Sequence, residues 1–213
     1  MRRLLPFLAV AAVFLFGGGS SAAPQRGIIV RGAASGSHLR LTVSGSQLLV
    51  SGQLAEVEPV GCRLTRGLSA ATCGLEEAGS IVVEMGSSND MVEVLDPLPV
   101  PLTAYLGGGS DKLIGNAEQD ICFPQGSRRN RCYGSGGDDI CVSGLENTDC
   151  IGGPGNDVCE MGAGLDGCHG EGGNDRLSGG DGADQLYGGA GKDYCDGGPG
   201  IGRSHECEVG PQR

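Results

Sequence analysis

A nine-residue repeat, which runs from Cys132 to Gly200, constrains the fold of this chain more than any other feature. The clearest copy spans residues 151–159 (IGGPGNDVC), and its first glycine, Gly152, returns in the same phase at residues 170, 179 and 188. In each copy closely spaced glycines precede an aspartate, and an apolar residue follows the aspartate by two positions. Glycines suit the backbone of a tight turn, and three residues with one apolar side chain suit a very short strand. The repeat therefore predicts an alternation of glycine turns and short strands.

Two repeats per turn, or eighteen residues, would form a flattened coil with one strand on each side. Strands of adjacent turns would stack about 4.8 Å apart, so that residues eighteen positions apart become neighbours on one edge. The aspartates then form two columns, with Asp139, Asp157, Asp175 and Asp193 on a first edge and Asp166 and Asp184 on a second edge. Carboxylates at this spacing repel one another unless a cation lies between the turns. Oxygen ligands in flexible loops suit Ca²⁺ better than Zn²⁺ or Mg²⁺, so we expect several calcium ions.

These copies resemble the nonapeptide G-G-x-G-x-D-x-U-x of the RTX, or haemolysin-type, calcium-binding repeat family of secreted bacterial proteins. The resemblance implies an all-β fold, namely a right-handed parallel β-roll, or β-solenoid, of nine-residue repeats. It also implies that aspartates and turn carbonyls of successive turns hold each ion. The implied ligands in this sequence are the carboxylates of Asp139, Asp157, Asp166, Asp175, Asp184 and Asp193 and the backbone carbonyls of Gly152, Pro154, Gly170, Gly172, Gly179, Asp181, Gly188 and Ala190.

Two copies on the second edge depart from this pattern, because Thr148 and Gly202 stand where the aspartate belongs. We therefore expect one convincing site on that edge, between Asp166 and Asp184. On the first edge we expect sites between residues 139 and 157, 157 and 175, and 175 and 193.

Weaker copies extend towards the N-terminus. Residues 81–92 form a worn copy with Asp90 at the aspartate position, and the proline-rich segment 96–101 after it would be a spacer or an edge. The repeat restarts at residue 107, which adds Asp111 and Asp120 to the candidate metal ligands. A one-residue insertion after Asp120 would place it on the edge of Asp139.

Alternating apolar residues between positions 27 and 52 predict a hairpin or two further turns, so we expect a continuous solenoid that begins near residue 27. The chain then divides into three parts after its first 22 residues. Residues 23–80 form an N-terminal β region with degenerate turns, residues 81–201 form the calcium-binding roll, and residues 202–213 form a C-terminal cap or tail.

Residues 1–22 have the pattern of a secretory signal peptide, because Arg2 and Arg3 precede an apolar run that ends at Phe16 and small residues follow it. Cleavage after Ala22 predicts export by the Sec route and an extracellular location. The alternative is a membrane anchor, but the run is shorter than the roughly 20 apolar residues that span a bilayer. Since no second such run follows, we expect no membrane span.

The net charge of −11 argues against a nucleic-acid partner, which requires a basic face. Removal of Arg2 and Arg3 with the signal peptide would bring the net charge to −13. An excess of carboxylates instead fits cation binding. The sequence leaves a cell-surface or matrix partner open.

Ten cysteines in an exported chain predict disulfide bonds. Outside the regular turns we expect the pairs Cys62–Cys73 and Cys195–Cys207. The other six cysteines all occupy inward positions, and pairing across a thin core would give 122–132, 141–150 and 159–168. Such bridges require opposed Cα atoms within about 7 Å, and the alternative is free thiols packed as small apolar groups. A spacing of eight residues between cysteines is not a zinc motif.

The sequence contains no H-E-x-x-H, G-x-S-x-G or Walker motif, and about 60 residues are too few for a typical catalytic domain before the repeats. We therefore expect a non-catalytic calcium-binding protein with a structural, adhesive or interaction role. The alternative is a small secreted hydrolase or toxin-like effector whose active residues lie in the N-terminal segment. An ice-binding variant would require a regular Thr or Asn ladder, and we expect none.

Overall fold

The computed structural model describes residues 26–58, 62–64, 69–76, 78–126, 129–200 and 202–208, so the predicted signal peptide at 1–22 lies outside the described residues. Every regular element in these ranges is a β-strand, as the repeat predicts. The strands are β1 (Arg26–Gly32), β2 (His38–Ser44), β3 (Gln47–Ser51), β4 (Leu54–Glu58), β5 (Arg63–Leu64), β6 (Ala70–Gly74), β7 (Ala78–Glu84), β8 (Met91–Val94), β9 (Leu102–Gly107), β10 (Lys112–Ile114), β11 (Asp120–Pro124), β12 (Asn130–Tyr133), β13 (Ile140–Val142), β14 (Thr148–Pro154), β15 (Val158–Glu160), β16 (Ala163–Gly164), β17 (Gly167–Gly173), β18 (Arg176–Ser178), β19 (Asp181–Gly182), β20 (Gln185–Gly191), β21 (Tyr194–Asp196) and β22 (Arg203–His205).

The strands form two long sheets that face each other across a thin core, in the arrangement of a β-solenoid. One sheet has the order β21-β18-β15-β13-β11-β9-β7-β1-β4, the other has the order β22-β20-β17-β14-β12-β10-β8-β2-β3-β6-β5, and β16 pairs with β19 in a small third sheet. Successive strands from β7 onwards in the first sheet and from β8 onwards in the second are parallel. Cys141 pairs with Cys159 and Cys159 with Leu177, which confirms eighteen residues per turn.

The N-terminal strands continue the solenoid and then close its end. β1 pairs in parallel with β7, and β2 pairs in parallel with β8, so the coil begins at the expected position. β2 and β3 form an antiparallel hairpin, which decides between the two interpretations of this region. β6 adds to β3 and β4 adds to β1, both in antiparallel orientation, and β4 and β5 are the end strands of the two sheets.

The ten cysteines form five disulfides with the pairing expected from the sequence, so the alternative of free thiols is wrong. Cys62–Cys73 and Cys195–Cys207 lie outside the regular turns. The other three bridges cross the core between the two sheets, with Cα–Cα distances of 6.3 Å for 122–132, 6.6 Å for 141–150 and 6.4 Å for 159–168. Buried aliphatic side chains such as Leu39 and Leu102 fill the core before these bridges, and Leu177 and Leu186 fill it after them.

The described part of the chain contains no helix with the length and hydrophobicity needed to cross a membrane.

The turns bring backbone against backbone so closely that some glycines cannot be replaced. Gly173 has a φ of +136°, and a Cβ on it would overlap the carbonyl oxygen of Gly155 one turn away. Gly172, its neighbour, has no left-handed φ and no atom within 4 Å of the position that its Cβ would occupy. The stacking of turns therefore requires glycine at position 173 but not at position 172.

Gly173→Ala should destabilise the fold by about 2 kcal/mol or more, because it combines backbone strain with the overlap on Gly155. Gly172→Ala is the control and should leave the free energy of unfolding nearly unchanged. Denaturant titrations of both variants at one calcium concentration measure the difference. Equal stabilities of the two variants would contradict the turn stacking described here.

Candidate metal centres

The aspartates of the first edge form a ladder in which each carboxylate accepts a hydrogen bond from the backbone of the turn before it. The Oδ1 atom of each aspartate accepts the backbone N–H of the aspartate one turn earlier. The N–O distances are 2.8 Å for Asp120 to Asp139, 2.7 Å for Asp139 to Asp157, 2.8 Å for Asp157 to Asp175 and 2.9 Å for Asp175 to Asp193. The predicted edge column is therefore present, and Asp120 lies on it as the one-residue insertion implied.

The second edge has a similar ladder with weaker continuity. Its hydrogen bonds run from the N–H of Ser37 to Asp90, of Asp90 to Asp111, of Asp111 to Asn130, of Thr148 to Asp166 and of Asp166 to Asp184, with N–O distances of 2.6–2.9 Å. The N–H of Asn130 instead bonds to the backbone carbonyl of Asn147. The ladder is thus interrupted at Thr148, where the sequence departs from the repeat.

The second carboxylate oxygen of each ladder aspartate from Asp139 onwards is buried and has no hydrogen-bond partner. These Oδ2 atoms belong to Asp139, Asp157, Asp166, Asp175, Asp184 and Asp193, and those of Asp90 and Asp111 share the property. A buried polar atom without a partner costs about 1–3 kcal/mol, and more when it carries charge. Each Oδ2 atom therefore requires either a proton or a cation.

Glycines on the first edge leave space beside these oxygens. A Cβ placed on Gly134 would lie within 3.0 Å of Asp139 Oδ2 and of the Gly152 carbonyl oxygen, and a Cβ on Gly170 would lie equally close to Asp175 Oδ2 and the Gly188 oxygen. The matching glycines for Asp120, Asp157 and Asp193 are Gly115, Gly152 and Gly188. The donors around each space are carboxylate and carbonyl oxygens only, which fits Ca²⁺ with oxygen ligands at about 2.3–2.6 Å.

The second edge offers less space. Met85, Leu106 and Met161 stand five residues before Asp90, Asp111 and Asp166, at the position that glycine occupies on the first edge. Gly179 provides this space for Asp184, whose Oδ2 lies 2.7 Å from the position of its Cβ. On the second edge this glycine is therefore found only beside Asp184 among the described ladder aspartates, and the expected site between Asp166 and Asp184 stays a prediction.

The predicted carbonyl ligands all lie in or beside the turns, but their surroundings differ. The carbonyls of Gly152, Pro154 and Gly172 accept the N–H groups of Ser135, Gly137 and Gly155, and each keeps a second lone pair for a cation. Gly170, Gly179 and Gly188 border the spaces beside the aspartates. Asp181 and Ala190 pair in register with Ala163 and Gly172 of the adjacent turn.

Burial changes the acidity of these carboxyl groups. Burial and, to a smaller extent, the neighbouring carboxylates of Asp120 and Asp157 raise the pKa of Asp139 to about 8. The hydrogen bond from the N–H of Asp120 acts in the opposite direction. Burial likewise raises the pKa to about 7 for Asp111 and Asp120 and to about 6 for Asp157 and Asp166. The pKa values of Asp90, Asp175 and Asp184 are raised for the same reason. Without a cation, burial therefore makes these carboxyl groups weaker acids, and the effect is largest at Asp139.

A small cavity of about 20 Å³ lies between the first edge and the bridged core, and its lining includes Asp120, Asp139, Asp157 and five of the six core cysteines. The Sγ atoms of Cys132, Cys141 and Cys150 lie within 4.8 Å of one another there. All three are oxidised in disulfides, so they offer no thiolate to a metal. The oxygen donors of this region thus remain its metal-binding groups.

Sequence reasoning missed two features of the first edge. An outer ladder joins Asp138, Asn156 and Asn174, in which each side-chain oxygen accepts the N–H of the residue one turn on. Its signal was the polar residue before each aspartate at eighteen-residue spacing. The second feature is Glu208, whose Oε2 accepts the N–H of Asp193 at 2.8 Å. No periodicity points to Glu208, because it lies outside the repeat.

Comparison with known proteins supports the family suggested by the repeat. Residues 169–203 match the model of the RTX calcium-binding nonapeptide repeat, which comprises four copies. No curated protein and no solved structure matches the chain. The matched repeats, the parallel solenoid and the buried aspartate ladders together fit an RTX-type parallel β-roll protein with calcium-binding repeats.

Proposed function

We propose that this protein is a secreted, non-catalytic protein whose β-roll binds several calcium ions and serves a structural, adhesive or interaction role. The observation that carries the proposal is the set of buried, unpaired Oδ2 atoms along two edges. A cation at each of them would replace an unsatisfied charge by an ion–carboxylate contact. On the first edge the turn glycines let these oxygens lie close to turn carbonyl oxygens, which could bind the same cation.

The calcium would act mainly on stability. Each ion would lie between turns, where it contacts the carboxylate of one turn and the carbonyls of that turn and the next. Since such a site does not exist in the unfolded chain, the free energy of binding adds to the free energy of folding. Oδ1 positions the carboxylate through its hydrogen bond, and the glycine turn leaves the other oxygen accessible to the ion.

Two features support secretion. The first 22 residues have the charge, apolar run and small residues of an export signal. Five disulfides, three of them across the core, suit an oxidising compartment outside the cytosol. Net negative charge suits an environment in which calcium is abundant, because bound cations reduce the repulsion between carboxylates.

The N-terminal region supports a structural role over a hydrolase. A buried histidine paired with a carboxylate in a pocket would favour an enzyme. His38 does approach Glu93, with 3.3 Å between Nε2 and Oε2, but both side chains are partly exposed on the outer face of the sheet and Arg40 shares the same carboxylate. The arrangement fits a surface ion-pair cluster.

Calcium titration of the metal-free protein should increase strand content cooperatively, and magnesium should act weakly because it loses its water ligands reluctantly. Circular dichroism measures the transition.

Asp139→Asn should bind at least one fewer calcium ion per chain, as measured by calorimetry. At calcium a hundredfold above the dissociation constant, each lost ion should lower the free energy of unfolding by about 2.7 kcal/mol.

Asp138→Asn is the matched control, because it removes one carboxylate from the adjacent, exposed residue and keeps an oxygen that accepts the N–H of Asn156. It should bind calcium as the unaltered protein does. In the metal-free state Asp139→Asn should be at least as stable as the control, since its amide removes the buried charge. Equal calcium stoichiometry in both variants would contradict the ladder as the binding site.

The metal-free protein should lose stability as the pH rises. The folded state keeps the Asp139 proton up to a pKa of about 8, whereas the unfolded chain releases it near 3.8. The folded state thus binds more protons in this window, and the free energy of unfolding falls from low to high pH. Saturating calcium should reverse the trend, because protons and Ca²⁺ compete for the same oxygens. Thermal unfolding of dialysed protein between these pH values, with and without calcium, checks both signs.

A further inference from the structure

We propose that the C-terminal tail builds a further calcium site at the end of the first edge, from the carboxylates of Asp193 and Glu208 and the backbone carbonyl of Glu206. The site rests on the calcium-binding function proposed above. Glu206 and Glu208 lie beyond residue 203, where the match to the repeat family ends, and neither occupies an aspartate position of the nine-residue pattern.

Glu208 takes the place of the next ladder aspartate. The Oε2 atom of Glu208 accepts the N–H of Asp193 at 2.8 Å, as Asp193 Oδ1 does for Asp175 at 2.9 Å. The N–H of Glu208 in turn donates to the carbonyl of Asp193 at 3.1 Å. Glu208 lies fifteen residues after Asp193 instead of eighteen, and its longer side chain reaches the position that an aspartate would occupy one turn on.

Glu206 takes the place of the next turn glycine. A Cβ on Gly188 would lie within 3.0 Å of both the Glu206 carbonyl oxygen and Asp193 Oδ2. The same arrangement surrounds Gly170, where the two oxygens come from Gly188 and Asp175. The tail therefore reproduces, without a repeat copy, the pair of oxygens that borders each first-edge space.

Asp193 supplies the observation that points to a ligand. Its side chain is fully buried, with 0% exposure, and its Oδ2 atom has no hydrogen-bond partner and faces the Glu206 oxygen. Glu208 is exposed, so water can complete the coordination shell of an ion there, as Ca²⁺ commonly permits. We expect this terminal site to bind calcium more weakly than the buried sites before it.

The Cys195–Cys207 disulfide holds the tail in this position. Cys207 lies between Glu206 and Glu208 in the sequence. Its partner Cys195 lies in β21, the strand that begins directly after Asp193. β22 pairs in parallel with β20 and fixes the other side of the segment. The loop therefore approaches Asp193 in a defined conformation before any ion binds.

The test is the calcium stoichiometry of the full mature chain, measured by equilibrium dialysis with Ca²⁺ as the probe. Glu208→Gln keeps an oxygen for the Asp193 N–H but loses the charge, and it should bind one fewer ion. Glu160→Gln is the control, since it removes an equal charge from an exposed side chain of β15 outside the proposed site, and it should bind as many ions as the unaltered protein. Equal stoichiometry and affinity in the two variants would overturn the terminal site.

A second variant guards against a folding defect. Asp193→Asn removes the buried oxygen from the opposite side, so the terminal ion should be among those that it loses, and adding Glu208→Gln to it should remove no further ion. Loss of a further ion in the double variant relative to Asp193→Asn would also overturn the site. Absence of any calcium binding by the unaltered protein would instead refute the proposed function. Equal binding by Glu208→Gln and Glu160→Gln, with other ions still bound, would refute the terminal site alone.

Discussion

The structure depends on the way in which each ladder carboxylate divides its two oxygens. One oxygen accepts the N–H of an aspartate one turn earlier and so satisfies a buried backbone donor that the turn leaves without a strand partner. The other oxygen is left unpaired beside turn carbonyls. A protein could satisfy the first requirement with an amide, as Asn130 does. Repeated aspartate serves both requirements at once, and it couples the stacking of turns to the presence of a cation.

The core changes its chemistry along the coil, and the dependence on cations changes with it. Aliphatic side chains fill the N-terminal turns, disulfides bridge the turns between Cys122 and Cys168, and single leucines remain at Leu177 and Leu186. Each bridge closes a loop of about ten residues, which lowers the entropy of the unfolded chain by an amount worth roughly 2.5–3 kcal/mol in the loop-closure description. The turns that match the repeat family most clearly, at 169–203, have the least support of either kind. If the roll binds calcium as proposed, we expect metal to contribute most to folding in these turns.

Much of this arrangement could be predicted because a strict period relates sequence distance to spatial distance. Asp157 and Asp175, or Cys141 and Cys159, are eighteen residues apart and therefore meet. Features outside the period could not be predicted in this way. The antiparallel strands at the N-terminal end follow from local hairpin geometry, and the contact of Glu208 with Asp193 depends on the path of a tail closed by a disulfide. The period also does not distinguish the two edges. Met161 stands five residues before Asp166, where Gly170 stands before Asp175, and its larger side chain crowds the second edge.

Insertions between turns leave the stacking intact, and this has a consequence for how such a chain can change in length. Asp90, Asp111 and Asn130 are 21 and 19 residues apart, yet each bonds to the next as neighbours eighteen apart do elsewhere. The extra residues leave the strand register unchanged, so the stacking of turns depends on strand pairing and not on a fixed number of residues per turn. A duplication of one whole turn in the gene would lengthen the rod by one strand spacing, about 4.8 Å, without disturbing either closed end. Selection could thus change the length of this protein in discrete steps of one whole turn.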